Sequence, residues 1–263
     1  MRQGGSAQRL KRIAARLRMA RGSTFSLSVA TLAVITLWTA APSLIARGVL
    51  DEDTDRFLSR HRNEEPLTQY RAFRRMHAHS ERFNQEAWLE VWTEMDDRTF
   101  RYDIVSERGS DYIRNKVLKA VLKREQELVQ AGDCARADLT PDNYVFSETV
   151  VDGPGEKYVS ITPKRKDILL VDGRMVLSRD GGELLRVEGK LSKNPSFWTS
   201  LVNVIRHYAR VDGVRVPIAT ESVAKVRFAG TSQLDVQYEY ESINGRAVSL
   251  AARGVTLAGR GQR

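Results

Sequence analysis

From Ala87 the chain alternates strictly. Ala87, Leu89, Val91, Thr93 and Met95 hold one parity, and Trp88, Glu90, Trp92 and Glu94 hold the other. A period of two predicts a strand with two unlike faces. Asp96-Asp97-Arg98 reads as a tight turn. Phe100, Tyr102 and Ile104 then alternate with Arg101, Asp103 and Val105, which completes a β-hairpin. The period changes at Ser110. Ile113, Val117, Val121 and Leu128 recur at helical spacing, Ser110 and Asp111 suit a helix start, and Gly132 suits its end, so 110–131 is predicted helical. Beyond residue 140 the pattern returns to two. Val226 and Phe228 alternate with Lys225 and Arg227, and Leu234, Val236, Tyr238 and Tyr240 alternate with Asp235, Gln237, Glu239 and Glu241. Val202, Val204 and Tyr208 alternate less cleanly. Turn dipeptides punctuate this half at Asp152-Gly153, Asp172-Gly173, Asp180-Gly181, Asp212-Gly213 and Asn244-Gly245. Upstream, Asp51-Glu52-Asp53 opens one helical stretch and Pro66 a second, with Tyr70, Phe73 and Met76 three apart, so 49–82 is read as a helical lead-in. The order of helices, hairpin, long helix and six or seven hairpin-joined strands predicts an α+β fold. In it a strongly curved antiparallel sheet, a half-open β-barrel, has helices covering its concave face. The expected organisation is a sheet domain over 83–250 with an inserted helix at 110–131, and a flexible tail over 251–263.

Charge changes the picture. The chain has 263 residues with 42 Lys+Arg against 33 Asp+Glu, a formal +9. A basic protein invites a nucleic-acid reading. However, residues 1–48 hold eight of the basic groups and no acid, which leaves 34 against 33 for the rest. The main domain is nearly neutral, and no nucleic-acid partner is expected. The basic N-terminus runs into Phe25–Ala46, 22 residues without a charge. Basic residues, an apolar core and small residues after it are the pattern of an export signal, with Ala46-Arg47-Gly48 as a possible cleavage site. The same run is long enough to be an uncleaved signal anchor. Either way the remainder is expected outside the cytoplasm: periplasmic, or anchored in the inner membrane and facing the periplasm. One cysteine, Cys134, excludes an internal disulfide framework.

Motifs for catalysis are missing. The sequence has no phosphate-loop, dinucleotide-binding, nucleophile-elbow or H-E-x-x-H pattern. His77-Ala78-His79 would put two imidazoles on one face of a strand, but reads better as surface histidines. Asp96-Asp97 reads as a turn rather than an acid/base pair, and Lys164-Arg165-Lys166 as a solvated strand edge rather than a phosphate site. Trp88 and Trp92 suit either edge packing or an acyl-chain pocket. No catalytic residue, cofactor or metal is expected, and the protein is not expected to be an enzyme.

The stretch from Asp167 to Gly245 carries a further pattern. A strand ending at Asp172-Gly173 precedes an L-x-R-V-E-G strand, Leu184 to Gly189. V-D-G-V-R-V-P, Val211 to Pro217, follows, and then two long alternating strands. In this order the chain resembles the bacterial periplasmic lipoprotein-sorting carriers and their exported relatives. The resemblance covers about eighty residues well and 83–245 loosely. It implies a half-open barrel whose apolar concavity shelters lipid or lipoprotein acyl chains, with no catalytic residues. On that implication the lining is Leu89, Val91, Ile168, Leu170, Leu185, Val187, Val226, Phe228, Leu234, Val236, Tyr238 and Tyr240; the alternative is that these residues pack as an ordinary core. The helical lead-in and the inserted helix depart from a compact carrier. The runner-up expectation is a membrane-anchored envelope sensor or interaction module, whose partner would be an envelope membrane protein.

Overall fold

The computed structural model describes residues 52–96, 98–148, 156–178, 182–197, 199–227, 230–249 and 252. Residues 1–51, which include the expected export signal, and Asp152-Gly153, Asp180-Gly181, Phe228 and most of the tail lie outside them. Helix α1 (Glu52–Asn63) leads into β1 (Gln69–Ser80), β2 (Gln85–Asp96) and β3 (Thr99–Gly109). A helical stretch follows, comprising α2 (Asp111–Ile113), a π-helical turn (Arg114–Leu118) and α3 (Lys119–Gln130). Then come β4 (Tyr144–Glu148), β5 (Glu156–Pro163), β6 (Val171–Ser178), β7 (Leu184–Leu191), β8 (Thr199–Val211), β9 (Val214–Val226), β10 (Gly230–Ile243) and the short β11 (Arg246–Ala247).

All eleven strands form one antiparallel sheet in the order β3-β2-β1-β10-β9-β8-β7-β6-β5-β4, with β11 added to β10. The sheet is not closed, and β3 and β4 are its edges. This overturns the α+β expectation. The protein is mostly β, and helices do not cover the sheet face. They pack on different parts of it, each over its own apolar cluster, and the α1 segment also reaches Arg210 of β8 and Arg215 of β9. In one cluster Ile113, Leu118, Leu122 and Val129 pack with Ala72, Met76, Leu89, Val91 and Val236. In the other, Phe57 and Leu58 of α1 pack with Val159, Ile161, Met175, Leu177 and Val187. Burial of such side chains stabilises by roughly 1.5–3 kcal/mol each.

The second helix expected in 49–82 is a strand. Phe73 does not share a face with Tyr70 and Met76; the buried positions of β1 are Tyr70, Ala72, Arg74, Met76, Ala78 and Ser80, a period of two. Three small residues and an arginine hide this pattern, and Phe73 belongs to the other face, against Trp92. β1 is therefore central, between β2 and β10. The 110–131 helix forms with a shifted stripe. The π turn closes i→i+5 bonds and adds one residue to a turn. Burial passes from Ile113 to Leu118 and Leu122, while Val117 and Val121 are only partly buried. Ser110 does not cap this helix; its hydroxyl donates to Gln85 instead (2.9 Å). Gly132 ends it with φ +70°.

Asp212-Gly213 and Asn244-Gly245 turn as expected, all four residues having positive φ. Asp172-Gly173 does not turn. It lies inside β6, where Gly173 faces Gly189 of β7. A Cβ on Gly173 would meet the Gly189 Cα at 2.6 Å, so here glycine serves a close backbone approach.

Candidate functional site

The register joins side chains on one face into a row across eight strands: Val159, Met175, Val187, Arg206, Thr220, Val236, Met76 and Leu89. Both ends of the row are buried and apolar. Its middle is an exposed arginine beside a half-buried threonine. The next row reads Ile161, Gly173, Gly189, Val204, Ser222, Leu234, Ala78 and Ala87. Here Gly189 of β7 and Ser222 of β9 flank Val204 of β8. Val202 and Val204 are buried there yet join neither apolar cluster. The inner face thus carries two cores with a polar-tipped strip, the furrow, between them across β7 to β9.

A charged cluster borders this furrow. Arg74, only 3% exposed in its side chain, points from β1 toward α3 and meets Glu125 through both guanidinium nitrogens (2.6 and 2.9 Å). Tyr70 accepts from Arg74 and donates to Glu125 (3.1 Å). The guanidinium also lies over the rings of Tyr238 (4.7 Å) and Phe100 (5.5 Å), so aromatic faces replace water around it. Burial alone would raise the Glu125 carboxyl. Arg74 more than offsets this and holds it below the ordinary value of 4.5. Arg206 points toward the same cluster. Its pKa is raised, chiefly by Tyr208, against the opposing effect of burial, and Tyr238 and Glu125 add to that rise. Arg206 is exposed and yet lies near these groups. Among the described residues no carboxylate lies within 4 Å of it. Across the register, the Oγ1 of Thr220 is buried without a partner among the described residues.

Of the predicted lining, Leu89, Val91, Val236 and Tyr240 are core of the α3 end, and Leu170 and Val187 are core of the α1 end. These six are buried core positions; of them Leu89 and Tyr240 also border concavities of about 510 and 300 Å³. Leu234 and Tyr238 are half-buried at the furrow side of the α3 core. Ile168, Leu185 and Val226 are also half-buried, Ile168 in the segment before β6. The expectation missed Arg74, Glu125, Arg206 and Tyr208. Each left a trace: Glu125 is a charge in the buried phase of α3, between Leu122 and Val129, and Arg206 interrupts the apolar parity of Val202 and Val204.

Trp88 and Trp92 belong to the opposite face. Trp88 lies between His77 (4.8 Å) and Arg108 (4.3 Å), and Trp92 carries Arg71 (4.8 Å). Two concavities sit on that face, of about 510 and 300 Å³, bordered by Trp88, Arg75, Glu90 and Asp235 and by Phe73, Trp92 and Glu239. Their charges are largely paired, as Arg75 with Glu239 (2.8 Å) and Arg71 with Glu94 (3.0 Å). His77 stacks on Trp88 and meets Glu86 (3.1 Å), and among the described residues no group of three His, Cys, Asp or Glu is placed to hold a metal. Arg165 is engaged by Asn143 (2.6 Å) and the Arg136 carbonyl (2.9 Å). Family models and the curated proteins contain no match to this chain.

Proposed function

We propose that the protein is an exported, non-catalytic lipid- or lipoprotein-binding protein, related in kind to the lipoprotein-sorting carriers, whose furrow shelters an acyl chain. The observation that carries this reading is the interruption of the apolar cross-strand rows. An acyl chain laid between the two cores would cover Leu234 and Tyr238, which are half-buried in the free chain. Each methylene removed from water contributes about 0.8 kcal/mol. The basic, then uncharged, sequence of residues 1–46 supports delivery to the periplasm.

Native mass spectrometry of protein taken from its own cells tests the reading. The expected result is a mass excess matching a lipid, together with uptake of a fluorescent acyl probe by the delipidated chain. A clean apo mass with no probe uptake would overturn it.

One observation favours the second reading, an anchored envelope interaction module. The edge strand β3 is eleven residues long and exposes Ile104 (40%) and Val105 (56%), which suits addition of a partner strand. N-terminal sequencing of the exported protein separates the two. A retained Met1 favours the module; a new terminus near residue 47 favours a diffusible carrier.

A further inference from the structure

We propose that Arg206 is a headgroup site, and that the furrow takes single-chain amphiphiles with an anionic head, a carboxylate or a phosphate. This rests on the acyl-binding reading above and narrows it to a chemical class. Three observations converge. Arg206 is a charged side chain in the middle of a row that is apolar on both sides, so a chain lying against the row brings its polar end to the guanidinium. Its charge is not locally neutralised. The cluster of Arg74, Arg206 and Glu125 carries two positive charges and one negative, and Glu125 is committed to Arg74 through both nitrogens. Arg206 also stands on β8 two residues before Tyr208, which packs on the α1 core. A guanidinium presents its N–H donors as a planar fork, the geometry that carboxylate and phosphate oxygens accept. Half-buried Leu234 and Tyr238 stand two strands away on the same face, within reach of the first methylenes of such a ligand.

The test uses the delipidated full-length chain and three ligands with the same oleoyl chain: oleate, 1-oleoyl lysophosphatidate and neutral monoolein. Each displaces an uncharged fluorescent acyl alcohol. The expected result is that at least one anionic ligand binds about 10-fold or more tightly than monoolein. Whichever anion leads identifies the head as carboxylate or phosphate. Arg206→Gln should bring both anions to the level of monoolein and leave monoolein itself unchanged, while Arg206→Lys should retain part of the preference. Arg206 is exposed, so both variants should fold, and unchanged near-ultraviolet circular dichroism verifies this. Equal affinity of the native chain for all three ligands would overturn the headgroup assignment and leave acyl binding standing. So would an Arg206→Gln variant that loses monoolein as steeply as oleate. Failure to bind any of the three would overturn the acyl reading, and the headgroup assignment with it.

Discussion

Helices α3 and α1 lie on the same face of one sheet and are held to it by different chemistry. The α2–α3 stretch commits four fully buried apolar residues to its core and adds Glu125 against the buried Arg74. α1 commits two, Phe57 and Leu58. The rest of its attachment is polar. Glu64, just past its end, accepts from both Arg210 and Arg215, Arg60 meets Glu183 (2.6 Å), and Arg215 lies over the Phe57 ring (5.0 Å) while donating to His61 (2.7 Å). A contact made of area is insensitive to pH and salt, whereas a contact made of charge is not. The α1 end is therefore the one whose attachment conditions can loosen, and it borders the furrow on the side of Tyr208.

The sharpest way to break this contrast is Glu125→Ala. It strands a guanidinium that is almost fully buried, and should cost about 4 kcal/mol, read as a loss of stability in urea denaturation. Leu122→Ala, in the same helix, should cost about 3 kcal/mol by leaving a cavity in a fully buried site. Glu64→Ala is the counterpart at the other end. It should cost about 2 kcal/mol, because Arg210 keeps Glu183 (2.9 Å) and a carbonyl partner at Gly213 (2.7 Å). Its amide exchange should rise in α1 while α3 stays protected. If Glu64→Ala proves as costly as Glu125→Ala, or if protection is lost equally in both helices, the distinction between the two ends does not hold.

The smallest effect is in pH. Burial, and next the Arg215 charge, lower the His61 pKa from its ordinary 6.5. The folded state therefore favours neutral His61, whose Nδ1 accepts from Arg215. This stabilisation is complete above pH 6.5 and is lost as pH falls through the lowered folded value. Urea midpoints of the native chain should decline below pH 6.5, and those of His61→Gln should decline less over the same window. At the α3 end the loss begins only lower, as pH falls below 4.5 toward the depressed Glu125 value. A His61→Gln profile parallel to the native one would assign the decline elsewhere.

Much of the strand pattern is legible in the chain because alternation is a local property. β2, β3 and β10 announce themselves through pairs such as Leu89 and Glu90 or Val236 and Gln237. β1 does not, because its inward positions include Arg74 and its outward ones Phe73. Those choices make sense only beside Glu125 and Trp92, from elements distant in sequence. The same holds for Asp172-Gly173, whose glycine answers to Gly189 across a strand pair and not to a local turn.

The sequence by itself determined where the charge of this protein lies, which segments alternate and where two of its tight turns fall. These follow from neighbours in the chain. Tertiary structure decided which strands meet. Only strand pairing could place β1 beside β10, set Arg206 in line with Val187 on one side and, through Thr220, with Val236 on the other, and leave it uncovered between two cores. A side chain's parity is fixed by its own strand, but what it faces is fixed by the register of strands that the chain brings together from positions as distant as Tyr70 and Ile243.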